Sequence, residues 1–300
     1  MTASSRQNGG TFGISAALVT PFRDDFSIDL ERMAAHATGL LADGCARVTL
    51  FGTTGEGASL SMTERLKAQY ALTSAGVAPD RIVACVGGAA VGSVAEQALA
   101  SLDTGIRTLL VPPPYYFKGV SQEGLFRWYS ALIGQIAGQS PRIILYHIPQ
   151  VTAAALSLEL VRRLKDRFGE FIVGIKDSAG DWATTEAFLG ERDLQVLVGD
   201  ERHLAHAVRL GGAGAISGMA NLFPSRLAEL VATGKNDPEL SALVDAVVKL
   251  PVTPAVKALV GVMRGEKGWD RVRAPLDSTP ASDVEMLREI WQAMGRDKAA

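Results

Sequence analysis

Eight short apolar or β-branched runs punctuate the chain, with helical stretches between them. They are I-S-A-A-L-V-T from Ile14, A-R-V-T-L-F from Ala46, R-I-V-A-C-V from Arg81 and R-T-L-L-V from Arg107, then R-I-I-L-Y from Arg142, F-I-V-G-I-K from Phe171, L-Q-V-L-V from Leu194 and G-A-I-S from Gly214. Runs that are apolar throughout, rather than alternating, belong to strands buried on both faces. Strands that alternate with helices therefore predict a parallel sheet, and eight such units predict closure into a (β/α)8 barrel. Ser61 and Glu64 stand at capping-box spacing before an amphipathic run, which sets a helix start at Ser61. Past the eighth run, helical periodicity continues through L-A-E-L-V-A, S-A-L-V-D-A-V-V-K-L, Val256 to Met263 and D-V-E-M-L-R-E-I-W-Q-A-M. The expected organisation is a disordered lead-in over 1–12, a barrel over 13–234 and a C-terminal helical extension over 235–300. A doubly wound open sheet is the competing fold. It fits less well, because no G-x-G-x-x-G turn follows the first strand and eight strands is a high count for it.

Composition narrows the class. Of 300 residues, 47% are hydrophobic and 21% charged, which is globular and neither disordered nor fibrous. A net charge of -2, with no basic runs, gives no electrostatic case for nucleic acid or an anionic membrane. The polar start has no signal-peptide pattern and no apolar run spans a bilayer, so a cytoplasmic protein is expected. Cys45 and Cys85 have no C-x-x-C spacing and read as reduced core thiols.

In a barrel, chemistry gathers where strands end. Strand six ends in Lys176-Asp177, and a lysine closing a buried strand either snorkels to water or serves as a partly dehydrated nucleophile able to attack a carbonyl. Strand two ends in Gly52-Thr53-Thr54-Gly55-Glu56, a loop with hydroxyls and backbone N–H groups suited to a carboxylate or phosphate oxygen. Thr53 and Glu56 could instead cap the next helix, but Ser61 and Glu64 already fill that role. Tyr146, ending strand five, is either a hydrogen-bonded core tyrosine or a proton shuttle beside Lys176. His203 and His206 are spaced i, i+3 without an intervening catalytic glutamate; they read as helix-surface residues, so no catalytic metal is expected. No cofactor is expected either.

Taken together, G-T-T-G-E, P-Y-Y after strand four, Y-H-I-P after strand five and G-I-K-D resemble the dihydrodipicolinate synthase and N-acetylneuraminate lyase family, from about Gly13 into the C-terminal helices. The resemblance implies that Lys176 forms an imine with pyruvate or another 2-oxo acid while Gly52, Thr53, Thr54 and their N–H groups hold its carboxylate. It also implies that Tyr146 is the general acid/base, and that Tyr116 reaches a neighbouring subunit's site to complete a hydroxyl relay. A homo-oligomer follows, commonly a tetramer built as a dimer of dimers. Gly199 and Ile216 match positions lining the imine pocket.

One departure bears on substrate. Where dihydrodipicolinate synthases carry an arginine for the aldehyde's carboxylate, this chain has Val151. An isopropyl group cannot make a bidentate, charge-assisted contact. Val151-Thr152 looks like the pattern of sugar-acid aldolases, and Asp200, Glu201 and Ser217 match positions that contact a polyol chain in sialic-acid lyases. His147 and Gln150 depart from both patterns. The expected function is a class I aldolase or lyase acting on a 2-oxo-3-deoxy sugar acid or related 2-oxo acid. The alternatives are dihydrodipicolinate synthase activity and, in a different class, a non-catalytic 2-oxo acid sensor.

Overall fold

The computed structural model describes residues 11–191 and 193–294. Eight strands, β1 (Gly13–Ala17), β2 (Arg47–Leu50), β3 (Ile82–Cys85), β4 (Thr108–Val111), β5 (Arg142–His147), β6 (Ile172–Asp177), β7 (Gln195–Val198) and β8 (Gly214–Ser217), pair in parallel and in chain order. β8 returns to β1, with Ser15 opposite Ile216, so the sheet is a closed barrel. The eight apolar runs are these eight strands, and the open-sheet alternative is excluded.

Around the barrel lie α1 (Leu30–Ala42), α2 (Met62–Ser74), α3 (Val91–Asp103), α4 (Gln122–Ile136), the short α5 (Pro149–Thr152), α6 (Leu158–Phe168), α7 (Trp182–Leu189), α8 (Glu201–Arg209) and α9 (Pro224–Thr233). Each long helix turns an apolar stripe to the strands; α6, for example, buries Leu160, Val161 and Leu164 and carries Lys165 and Arg167 in its last turn, where they suit the helix dipole. The capping box expected at α2 is present: Ser61 N–H donates to Glu64 Oε2 at 2.9 Å, and Glu64 N–H donates to Ser61 Oγ at 3.4 Å. Leu50, Leu204 and their neighbours are fully buried between strands and helices. Truncating one such leucine to alanine costs about 2–5 kcal/mol.

The C-terminal extension consists of α10 (Pro238–Val247), α11 (Val252–Arg264) and α12 (Ala281–Ala293). It is not an appendage hung beside the barrel. Thr253 and Lys257 on α11 bond to the loop after β2, at the C-terminal rim of the barrel.

Residues 1–10 of the expected lead-in lie outside the described residues, but Phe12 does not. It is buried at the foot of the barrel, where the Arg47 guanidinium sits 4.7 Å from its ring centroid and donates to its carbonyl at 2.6 Å. The packed chain therefore starts before Gly13, because an aromatic ring and a guanidinium close the barrel floor.

Candidate active site

Successive strand side chains face opposite ways, so the outward set identifies the inward one. Asp177 accepts from the Thr185 hydroxyl on α7 at 2.6 Å, and His147 packs edge-on against Phe188 of the same helix at 5.6 Å. Those residues face outward. Their predecessors Lys176 and Tyr146, paired across β5 and β6, therefore face the lumen. Lys176 Nζ donates to Tyr146 Oη at 3.2 Å and lies 4.4 Å from the ring centroid. Lys176 is only 6% exposed, and among the described residues it has no carboxylate partner. Thr53 Oγ1 stands 3.5 Å from the same phenolic oxygen, the outer limit of a hydrogen bond. Amine, phenol and hydroxyl thus form a chain of three groups able to pass a proton.

The loop after β2 supplies the anion-binding character. Phe51 and Glu56 both hold left-handed φ angles, of 63° and 53°, and Glu56 N–H and Gly57 N–H close the turn onto the carbonyls of Thr53 and Gly52. Gly57 has no substitute here, because a Cβ would lie 1.8 Å from the Phe51 carbonyl oxygen. Among the described residues, the N–H groups of Thr53 and Thr54 donate to no carbonyl or side chain. Two undirected N–H groups beside a hydroxyl suit a carboxylate. Thr54 Oγ1 lies across from Gly218, in the loop after β8.

The Glu56 carboxylate, read from sequence as either a cap or part of the anion loop, is neither. It is fully buried and accepts from Lys257 Nζ at 2.5 Å and from Arg273 N–H at 2.9 Å. No local signal marks Lys257 as a partner; only an unexplained lysine in the apolar stripe of α11 could have drawn attention to it.

The rest of the rim is less uniform. Ile216 shares the lumen face, being in register with Ser15, whose hydroxyl bonds Thr49 of the adjacent strand β2 at 2.8 Å. Gly199 fits because a Cβ there would strike Ser178 Oγ at 1.9 Å; its N–H donates to the Asp177 carbonyl at 2.7 Å. Val151 on α5 is 54% exposed, and neighbouring Gln150 donates to the Ser178 carbonyl at 2.6 Å. Tyr116 and Phe117, 72% and 66% exposed, stack edge-to-face on the loop after β4.

Three expectations change. Ser217 follows Ile216 and so faces α8, donating to Glu201 Oε1 at 2.5 Å and accepting from Ala220 N–H at 3.1 Å. Burial raises the Glu201 carboxyl above its ordinary value, against the hydrogen bond from Ser217. Ser217 thus faces α8 rather than the lumen, and it engages one oxygen of Glu201. Asp200 caps α8 and binds the Arg202 guanidinium at 2.6 Å; burial pushes its pKa up, but the bonds from Arg202 outweigh this and hold it low. It is a paired anion rather than an unengaged acceptor for a polyol. His147, which departs from both family patterns, lies outside the lumen; its Nδ1 accepts from Leu156 N–H at 3.0 Å and burial lowers its pKa.

His203 and His206 flank Trp182, with His206 stacked on the indole at 4.2 Å. Among the described residues, no group of three or more His, Cys, Asp or Glu side chains is arranged to hold a metal. Both cysteines are free and buried. Cys85, on the lumen face of β3, is pushed up to about 11 by burial, which keeps it a thiol. No helix among the described residues is long and apolar enough to cross a membrane.

This is a (β/α)8 barrel with a lysine and a tyrosine at its strand ends and an anion-suited loop beside them. Residues 11–290 match the model of the Dihydrodipicolinate synthetase family. The crystal structure of a dihydrodipicolinate synthase from Agrobacterium tumefaciens superposes with a TM-score of 0.93 at 46% identity, covering 95% of this chain and all of that one. A DapA-like lyase from Chloroflexus aurantiacus is 30% identical over 290 residues, 93% of this chain and 96% of that protein. A 4-hydroxy-tetrahydrodipicolinate synthase from Corynebacterium aurimucosum is 30% identical, covering 95% of each. The chain belongs to the Dihydrodipicolinate synthetase family, and it is an enzyme of the lyase class.

Proposed function

We propose that this enzyme forms a Schiff base between Lys176 and the ketone of pyruvate or a related 2-oxo acid, and makes or breaks the bond to the adjacent carbon through an enamine. The observation that carries this reading is the placing of Lys176 Nζ and Thr53 Oγ1 on one phenolic oxygen, at 3.2 and 3.5 Å. Neutral Lys176 attacks the ketone carbon, and the carbinolamine loses water to give the imine. Tyr146 delivers the proton that makes hydroxide a water molecule and later carries one to or from the substrate. The protonated imine nitrogen accepts the electron pair released when the bond at the neighbouring carbon breaks, giving an enamine. Reprotonation and hydrolysis then return pyruvate and the free lysine. The N–H groups of Thr53 and Thr54, with Gly52 shaping the turn, hold the carboxylate, while Gly199 and Ile216 line the imine pocket.

The substrate class we favour is a 2-oxo-3-deoxy sugar acid or similar hydroxylated 2-oxo acid, because exposed Val151 offers no cation at the rim position expected to bind a second carboxylate. Condensation of pyruvate with aspartate semialdehyde is the second reading; the 46% identical Agrobacterium protein, named a dihydrodipicolinate synthase, favours it. The exposed Tyr116–Phe117 pair supports a homo-oligomer in which a second copy's Tyr116 extends the relay, assembled as a dimer of dimers in the cytoplasm. The deciding assay compares kcat/KM for pyruvate release from a panel of 2-oxo-3-deoxy sugar acids with kcat/KM for the semialdehyde condensation, in one preparation. Cleavage is expected to dominate, and Val151→Arg to raise condensation by about tenfold through a restored charge-assisted contact. Efficient condensation without cleavage of any sugar acid would overturn the substrate class while leaving the imine intact.

A further inference from the structure

We infer that Thr253 and Lys257, one turn apart on α11, are positioning residues that hold the loop after β2 in its carboxylate-binding shape; the inference rests on the reading of that loop given above. Thr253 Oγ1 donates to the Thr53 carbonyl at 3.2 Å. That carbonyl belongs to the same planar peptide as the Thr54 N–H. In a trans peptide the two point in opposite directions, so anchoring one aims the other. The helix grips one side of the peptide and thereby turns its N–H toward the ligand.

Lys257 secures the far end of the loop. Its Nζ bonds Glu56 Oε1 at 2.5 Å, both side chains are fully buried, and the ammonium also lies 4.4 Å from the Phe22 ring centroid. The second Glu56 oxygen accepts from Arg273 N–H, and the Arg273 guanidinium donates to the Ser59 carbonyl at 2.9 Å. The loop they hold includes Glu56 and follows directly on Phe51, two non-glycine residues in left-handed backbone. Such a conformation persists only where its surroundings over-determine it, and here α11 and the segment after it supply that constraint from 200 residues away. Lys257 touches Glu56 and Phe22 rather than the lumen residues, so its action on chemistry runs through the loop.

The test uses the full-length protein and two readouts. Hydrogen exchange of the peptide spanning residues 51–57, without ligand, reports whether α11 holds the loop; the pyruvate concentration giving half-maximal borohydride trapping reports whether the held shape binds the carboxylate. Thr253→Val removes one hydroxyl at nearly constant volume. It is expected to speed loop exchange about threefold or more relative to the barrel strands, and to raise half-saturating pyruvate by roughly threefold to tenfold with the limiting trapping rate unchanged. Lys257→Met is expected to do the same more strongly; if it does not fold, Thr253→Val carries the test alone. A lower melting temperature with unchanged loop exchange and unchanged half-saturation would overturn the inference and leave α11 a structural staple. If the parent itself is not trapped, the functional reading fails, and loop exchange alone decides whether α11 holds the loop.

Discussion

Two lysines are buried among the described residues, and the difference between their surroundings separates chemistry from architecture. Lys176 sits on a strand in the barrel lumen with a phenol as its side-chain partner. Lys257 sits on a helix behind the rim, paired with the Glu56 carboxylate and covering Phe22. Burial lowers the pKa of Lys257, and Glu56 opposes that shift by stabilising the ammonium. A lysine held against a buried carboxylate cannot spare its amine for a carbonyl, whereas one facing a neutral hydroxyl in the lumen can form a covalent bond and pass its proton onward. Burial alone therefore does not mark a nucleophile; the partner does.

The largest loss of function is expected at Tyr146, the partner that sets Lys176 apart from Lys257. Tyr146→Phe keeps the ring against Lys176 but removes the oxygen that links it to Thr53. Turnover is expected to fall by about a hundredfold or more, the usual loss when a general acid/base is deleted, while the protein keeps its fold. Steady-state kinetics beside a thermal melt would check this, and a near-parental kcat would make Tyr146 a core residue.

Lys257→Met should spare the limiting rate but lower stability as well as loosen the loop. Removing one member of a buried pair leaves Glu56 as an uncompensated charge, at a cost of about 3–5 kcal/mol that urea unfolding would measure. Double replacement by Glu56→Gln and Lys257→Met should recover part of that loss, because no buried charge then remains. If Lys257→Met unfolded at the parental midpoint, the pair would not be the anchor described here.

The smallest effect concerns a third anchor of α11. His36 Nδ1 faces the Arg264 guanidinium at 2.8 Å and Nε2 faces Asn221 Oδ1 at 3.2 Å. Burial, reinforced by Arg264, drives the imidazole down to about 3, so it is neutral in the folded protein. The unfolded chain takes up a proton below about 6.5, where the folded one does not. Stability therefore falls as the pH is lowered from 6.5 towards 3, with a slope of up to about 1.4 kcal/mol per pH unit from this group. Urea midpoints at pH 6.5 and 4.5 should fall further in the parent than in His36→Gln. Equal falls would remove His36 as the source.

The barrel was legible because each strand carries its own signal. Apolar runs such as R-I-I-L-Y and F-I-V-G-I-K need no partner to be recognised, and the capping box at Ser61 is a four-residue pattern. The candidate site was legible where a strand end bears a reactive side chain, as with Lys176 and Tyr146, whose adjacency follows from barrel order alone. Long-range pairing was not legible. Glu56 and Lys257 are 201 residues apart, and nothing local distinguishes a glutamate that caps a turn from one that meets a lysine arriving from the C-terminal helices. Facing was also lost at β8, since Ile216 and Ser217 lie on opposite sides of one strand; only the Ser217–Glu201 bond shows that the hydroxyl serves α8.

In the proposed mechanism Lys176, and not Lys257, is the amine that bonds to substrate. Incubating the enzyme with saturating pyruvate and borohydride, digesting it and weighing both lysine peptides tests this directly. A stable adduct is expected on the Lys176 peptide, absent without pyruvate, beside an unmodified Lys257 peptide. An unmodified Lys176 peptide, or an adduct on Lys257, would contradict it.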